Sequence, residues 1–109
     1  MYTKSPSSGK GLAKVYNVSE ISNLLKGVVE NHFTGIQVRA ELSSVKKHTS
    51  GHIYFALKDD KSVLDGICWK GVASKLITQP QDGLEVICTG RLTTYPGRSK
   101  YQMVVDSME

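Results

Sequence analysis

Apolar and more polar side chains alternate between residues 52 and 58, which is the pattern of a strand with one buried face. The apolar positions are Ile53, Phe55 and Leu57. The intervening positions carry an imidazole, a phenol ring, a methyl group and an ammonium group, from His52, Tyr54, Ala56 and Lys58. We therefore predict a strand that packs one face on a core and presents an aromatic ring among cations on the other.

The same criterion predicts four further strands, at residues 35–45, 62–70, 84–94 and 99–106. In the first of these, one face consists of Ile36, Val38, Ala40 and Leu42. Turn-forming residues separate the strands. Asp59 and Asp60 begin a turn after residue 58, and Pro96-Gly97 favours a hairpin turn between the last two strands.

Two helices complete the predicted elements. The first covers residues 19–31, where an apolar stripe at helical spacing comprises Ile21, Leu24, Leu25, Val28 and Val29. Ser19 is the preferred N-cap, and a capping box between Asn17 and Glu20 is the alternative. We expect the stripe to cover the open end of a sheet, with a dimer seam as the alternative. A short helix at residues 71–77 is ended by Pro80 and the Asp82-Gly83 turn.

Three strands, a short helix and two more strands is the order of the OB-fold, an all-β, five-stranded Greek-key barrel. Proteins with this fold bind oligonucleotides or oligosaccharides on strands 2 and 3, between the loops that join strands 1 and 2 and strands 4 and 5. In this chain those loops are residues 44–51 and 94–100, and both are rich in cations. The order and the loop charge together predict an OB-fold with a ligand groove at one rim.

The composition supports a single small domain. Residues 1–14 are rich in Ser, Gly and Lys and are predicted to be a disordered tail, and residues 15–109 form the domain. The formal net charge is +4, so the placement of the cations matters more than their number. Cys68 and Cys88 fit no metal-binding spacing and are predicted to be buried free thiols in a reducing compartment. We expect a cytoplasmic protein without a membrane segment.

The candidate nucleic-acid-binding residues are aromatic rings for base stacking and cations for phosphate. Tyr54 is the main stacking candidate, supported by Tyr95 or by Trp69, although packing in the core is slightly favoured for Trp69. The loop cations are Lys46, Lys47, Arg98 and Lys100. Arg39, His48, His52 and Lys58 complete the set. No catalytic residue, metal site or cofactor is predicted in this segment, because turn chemistry already explains Asp59 and Asp60.

Several segments also resemble one protein family, the large subunit of exodeoxyribonuclease VII. They are YNVSEIS at residues 16–22, LKG at 25–27, GHIYFALKD at 51–59, DGLEV at 82–86, LTTYPGRSKYQ at 92–102 and VDSME at 105–109. The GHIYFALKD run and the terminal SME are the most specific of these. Asp65 departs from the family pattern, which often has a basic or polar residue there.

The resemblance implies that this chain is the N-terminal OB-fold domain of a longer cytoplasmic bacterial subunit. It implies a parent enzyme that degrades single-stranded DNA to oligonucleotides, with its catalytic region further along the polypeptide and in contact with this domain in cis. It also implies a small subunit that binds through the missing part of the chain. This segment alone is then not an enzyme, and a divalent metal in the parent nuclease stays an open question.

The resulting hypothesis is a module that binds single-stranded DNA without sequence preference and positions it for cleavage elsewhere. A protein-interaction barrel is one alternative, in which the helix stripe or the basic rim docks a subunit. An RNA-binding OB domain of the anticodon-binding type is another, because it uses a similar aromatic ring on strand 2.

Overall fold

The computed structural model describes residues 13–109 as five strands and two helices. In chain order they are α1 (Val18–His32), β1 (Ile36–Lys47), β2 (Ile53–Lys58), β3 (Val63–Cys68), α2 (Lys70–Ala73), β4 (Glu85–Thr94) and β5 (Tyr101–Met108). Every predicted element is present, and the bounds differ by at most two residues except at the end of α2. The predicted tail falls almost entirely on residues 1–12, outside the described residues.

The strands form a closed barrel in the order β1-β2-β3-β5-β4. β3 and β5 pair in parallel, and every other neighbouring pair is antiparallel. Strand β5 therefore lies between β3 and β4 in the barrel, although β4 follows β3 in the chain. The connection from β3 to β4 contains α2, and this is the Greek-key arrangement. This topology confirms the predicted OB-fold.

The barrel interior is filled by side chains from all five strands. Leu42, Met103 and Val105 are fully buried there, together with Cys68 and Cys88. Both cysteines are free thiols, as predicted. Burial raises the pKa of each thiol to about 11, so both are protonated and unreactive at neutral pH.

Strand β1 contains a bulge that the sequence did not reveal. Its register against β2 shifts between Ser43 and Lys46, and Ser44 has a φ of 52°. The backbone N–H of Val45 donates to the Asp82 side chain at 2.8 Å, so the turn that precedes β4 holds the bulge in place. Because a bulge inserts one residue, it reverses which side chains of β1 face inward beyond this point.

Helix α1 begins with the alternative cap, and the prediction of Ser19 as N-cap is wrong. The Asn17 side chain accepts from the Glu20 N–H at 2.8 Å, and the Glu20 carboxylate accepts from the Asn17 N–H at 2.9 Å. Two otherwise unpaired N–H groups are thereby satisfied reciprocally. Ser19 lies within the helix, one residue beyond its start.

The apolar stripe of α1 does not cover an open end of the barrel, so that expectation is also wrong. The helix packs on β4, and of its residues only Val29 is buried. At this contact the hydroxyl of Thr93 in β4 donates to the Glu30 carboxylate and accepts from the Lys26 ammonium group. A row of exposed apolar side chains remains on the helix, formed by Val18, Ile21, Leu24 and Val28.

Candidate nucleic-acid interface

The outer face of β2 and β3 is the surface on which the sequence placed the ligand. Tyr54 is 42% exposed on this face, whereas its neighbours Ile53 and Phe55 are buried in the core. Across the strand pair, Tyr54 lies opposite Ile67 and Ala56 lies opposite Asp65. The alternation that predicted an outward phenol ring is therefore confirmed in the barrel.

The β1–β2 loop, residues 48–52, lies beside this ring. Lys46 is the cross-strand neighbour of Tyr54, so the two side chains share one face. The ring of His48 meets Tyr54 edge-on, with 6.3 Å between ring centroids. Lys47, the next residue of β1, pairs with the buried Ile53 and therefore belongs to the other face. Adjacent strand residues always point to opposite faces, and the bulge at Ser44 makes Lys46, rather than Lys47, the one that shares the face of Tyr54.

The β4–β5 loop, residues 95–100, is tied to the same outer face from the other side. The Tyr95 hydroxyl donates to the Asp65 carboxylate at 3.0 Å, and Lys100 Nζ lies 3.7 Å from the same oxygen. Burial, the hydrogen bond to Asp65 and the nearby Tyr54 all raise the pKa of Tyr95, so its ring stays neutral. Asp65, the residue that departs from the family pattern, therefore holds two of the predicted binding residues.

Trp69 is 42% exposed, so the slightly favoured prediction that it packs in the core is wrong. Its indole contacts the His52 ring edge-on at a centroid distance of 4.8 Å. His52 Nδ1 accepts a hydrogen bond from the Lys70 N–H at 2.8 Å, which leaves the ring proton on Nε2 in the neutral imidazole. His52 thus joins the start of β2 to the start of α2 and supports the Trp69 ring.

Arg98 is exposed at the tip of the β4–β5 loop and lines a cleft of about 310 Å³ between that loop and α1. The hydroxyl oxygens of Ser22 in α1 and Ser99 in the loop lie 2.8 Å apart and form a hydrogen bond. The helix therefore supports the loop from behind. The role of Arg98 in binding stays a prediction.

Arg39 and Lys58 lie away from the two loops. They line a depression together with carboxylate residues, namely Glu41, Asp59, Asp60 and Glu85. Lys58 pairs with Glu41 at 3.8 Å, and both side chains are largely exposed. These acidic neighbours reduce the local positive charge, so the structure gives Arg39 and Lys58 no clear place beside Tyr54. Their assignment to the interface stays a prediction.

The side chain of Asp59, in the turn after β2, is engaged in local hydrogen bonds. Asp59 accepts from the N–H groups of Lys61 and Ser62, both at 2.9 Å, and these bonds lower the pKa of its carboxyl group. This is the turn that the sequence predicted. Among residues 13–109, no three His, Cys, Asp or Glu side chains are grouped in a way that could hold a metal ion.

Lys70 is a cation that the sequence analysis missed. It was assigned to the end of strand 3, but it is the first residue of α2 and lies against Gly51 of the β1–β2 loop. Its position depends on the packing of α2 on that loop, which involves residues far apart in sequence. No local pattern in the sequence indicates this contact.

Comparison with known protein families identifies the fold and its general role. A family model described as "OB-fold nucleic acid binding domain" matches residues 16–109. The chain belongs to this family.

Among the described residues, neither helix has the length and hydropathy that a membrane-spanning helix requires.

Curated relatives confirm the resemblance drawn from the sequence motifs. The chain is 56% identical over 97 residues to the exodeoxyribonuclease 7 large subunit of Erythrobacter litoralis, covering 89% of this chain and 20% of the relative. It is 49% identical over 104 residues to the same subunit of Rhodospirillum centenum, covering 95% of this chain and 20% of the relative. The chain thus spans about a fifth of the length of these relatives.

Among solved structures, the fold is similar to part of the asparaginyl-tRNA synthetase of Entamoeba histolytica. The TM-score is 0.56 at 17% sequence identity, and the match covers 72% of this chain and 20% of that chain. At this level of identity the similarity supports the barrel fold alone.

Proposed function

We propose that this domain binds single-stranded DNA on the outer face of β2 and β3, without sequence preference, and positions it for a nuclease. The observation that carries the proposal is that cations from two separate segments flank the same face. Lys46 at the end of β1 is the cross-strand neighbour of Tyr54, and Tyr95 and Lys100 of the β4–β5 loop bind Asp65 on the adjacent strand. A stacking ring between cations is the arrangement that single-stranded nucleic acid requires.

Binding without sequence preference follows from the side chains on this face. An aromatic ring can stack on any base, because every base has a π-face. The exposed cations bind phosphate, which is common to all nucleotides, so they add no sequence preference either. Tyr54, with Trp69 or Tyr95, supplies the rings in this proposal. Lys46, Arg98 and Lys100 supply positive charge around this face, and Lys47 supplies it on the neighbouring surface.

The curated relatives support a role within a larger enzyme. Since the chain spans a fifth of their length and their name denotes an exodeoxyribonuclease subunit, we place catalysis in a region that this chain lacks. In this proposal the domain delivers single-stranded DNA to that region in cis, in the bacterial cytoplasm. The small subunit of the enzyme binds elsewhere on the longer polypeptide.

The test is fluorescence anisotropy with a labelled single-stranded oligonucleotide at several salt concentrations. If the four loop cations neutralise about four phosphates, the log-log slope of affinity against salt is about −3. Affinity then falls about 50-fold between about 50 and 200 mM salt, and an equimolar duplex competes poorly. Binding that does not depend on salt, or a preference for duplex, contradicts the proposal. A preference for RNA of the same sequence supports the anticodon-type alternative.

A protein-interaction role is the second candidate, and the exposed apolar row on α1 favours it. The proposed occupant is the remainder of the longer polypeptide, because the relatives continue for about four times the length of this match. In that case Leu24→Glu leaves DNA binding by the 109-residue chain unchanged but weakens assembly of the full-length subunit. Unchanged assembly and stability of full-length Leu24→Glu contradict this second role.

A further inference from the structure

A groove of about 530 Å³ lies between the β1–β2 loop and α2, next to the proposed DNA-binding face. Its volume is within the range of small-molecule binding sites. The residues that line it include Lys47, His48 and Gly51 on one side and Lys70, Gly71 and Ser74 on the other. Most of the exposed wall is apolar, and the two lysines supply positive charge.

The groove depends on a close approach of two backbones. Gly51 has a φ of 96°, and a Cβ atom on it would lie only 2.9 Å from Cβ of Lys70. A larger residue at position 51 would therefore be strained and would push the loop away from α2. On the opposite wall, the space that a Cβ on Gly71 would occupy is open. The groove thus has one wall that needs glycine and another that accepts a side chain.

The groove also continues from the binding face. His48 contacts the Tyr54 ring and lines the groove as well. Lys47 faces the groove because the β1 bulge turns it away from Tyr54, and its ammonium group lies 3.4 Å from the Gln79 side chain on the α2 side. A strand stacked on Tyr54 can therefore continue over the His48 ring into an apolar recess that has Lys47 and Lys70 at its rim.

We propose that this groove binds one unstacked nucleobase of the single-stranded DNA, with its flanking phosphates on Lys47 and Lys70. The proposal rests on the proposed function and extends it by naming a second, separate contact for the same strand. Apolar walls accept the face of the base, and the two ammonium groups at the rim bind the negatively charged backbone. No base edge needs to be recognised, so the contact is tolerant of sequence.

The experiment fills the groove without removing a charge. Gly71→Leu places a side chain in the open space and keeps both lysines. Binding of a labelled oligothymidylate is expected to weaken about 5-fold or more, which is the loss of one stacked base, while the salt slope stays the same. Gly27→Ala in α1 is the control, because a Cβ there also meets no atom within 4 Å and the site is remote from the groove.

A set of oligonucleotides with one abasic nucleotide at successive positions identifies the contact itself. One position is expected to bind the wild type more weakly than the others, and Gly71→Leu is expected to abolish that difference. Ser74→Leu fills the groove from the end of α2 and should give the same result. If both variants bind like the wild type, the groove proposal is wrong while the proposed function stands. If the wild type itself binds no single strand, the proposed function fails first.

Discussion

Tyr54 is the side chain on which single-strand binding chiefly depends in this account. Its ring is exposed because Ile53 and Phe55 on either side are fixed in the core. The ring is therefore partly exposed on the outer face, at a position that the strand determines. A base stacked on it contributes about 1–3 kcal/mol to binding.

Replacement of this ring gives the first prediction. Tyr54→Ala is expected to weaken binding of a single-stranded oligonucleotide about 5-fold to 150-fold, measured by anisotropy at fixed salt. Tyr16→Ala is the matched control, because Tyr16 is 40% exposed but lies before α1. Equal losses in the two variants would show that Tyr54 has no special role.

Asp65 gives a second prediction at this scale. The Asp65 carboxylate stabilises the protonated Tyr95 hydroxyl and therefore raises the pKa of Tyr95, in addition to the effect of burial. In Asp65→Asn the pKa of Tyr95 should fall but stay above its ordinary value, because burial remains. Ring carbon NMR shifts of Tyr95 followed against pH measure this change.

The same variant is expected to bind single-stranded DNA more tightly. It removes a negative charge from the face and a carboxylate that competes with phosphate for Lys100, so affinity at a fixed salt concentration should rise. Asp60→Asn removes a charge in the turn after β2 and serves as the control. A Tyr95 pKa that does not move, or weaker binding by Asp65→Asn alone, would contradict the role given to this carboxylate.

Among the secondary-structure elements, the cap of α1 decides where the helix begins. Asn17→Ala removes the side-chain acceptor of the capping box and should lower the free energy of unfolding by about 0.5–2 kcal/mol. Ser19→Ala should have a much smaller effect, since the cap is formed without it. Urea unfolding followed by circular dichroism compares the two. A larger loss of stability for Ser19→Ala than for Asn17→Ala would contradict the assignment of Asn17 as the N-cap.

The strands were predictable because alternation marks a half-buried strand regardless of its neighbours. The same rule placed Tyr54 outward and Leu42 inward, and the structure agrees. The bulge at Ser44 was not predictable, because it depends on the hydrogen bond that the Asp82 carboxylate accepts from the Val45 N–H, 37 residues away. Alternation alone places Lys46 and Lys47 on opposite faces, but only the structure shows that Lys46 is the one beside Tyr54.

Two other features depended on packing between distant elements. The sequence identified the apolar stripe of α1 but not the surface it meets, and the helix lies on β4 with most of the stripe exposed. Trp69 was expected in the core because it is large, but the barrel is already filled by smaller side chains. It lies instead on the surface beside His52. Periodicity predicts which face is apolar and does not predict what covers it.

At the scale of the whole molecule, the barrel brings together parts of the chain that are far apart in sequence. Residues 46–54 and residues 95–100 meet across β2 and β3, and α1 supports the second loop from behind. The net charge of +4 is modest, so binding depends on where the cations lie. The depression near Arg39 is lined by several carboxylates, so the surface there is less positively charged than the surface around Tyr54.

The most direct test of the central claim is an NMR titration of the isotope-labelled 109-residue chain with a single-stranded oligonucleotide. The account predicts that amide shifts change in β2, β3 and the two loops, with the largest changes around Tyr54 and Tyr95. Signals from α1 and from the acidic depression should change little. Changes confined to the exposed row of α1, or spread evenly over the surface, would contradict binding on the β2–β3 face.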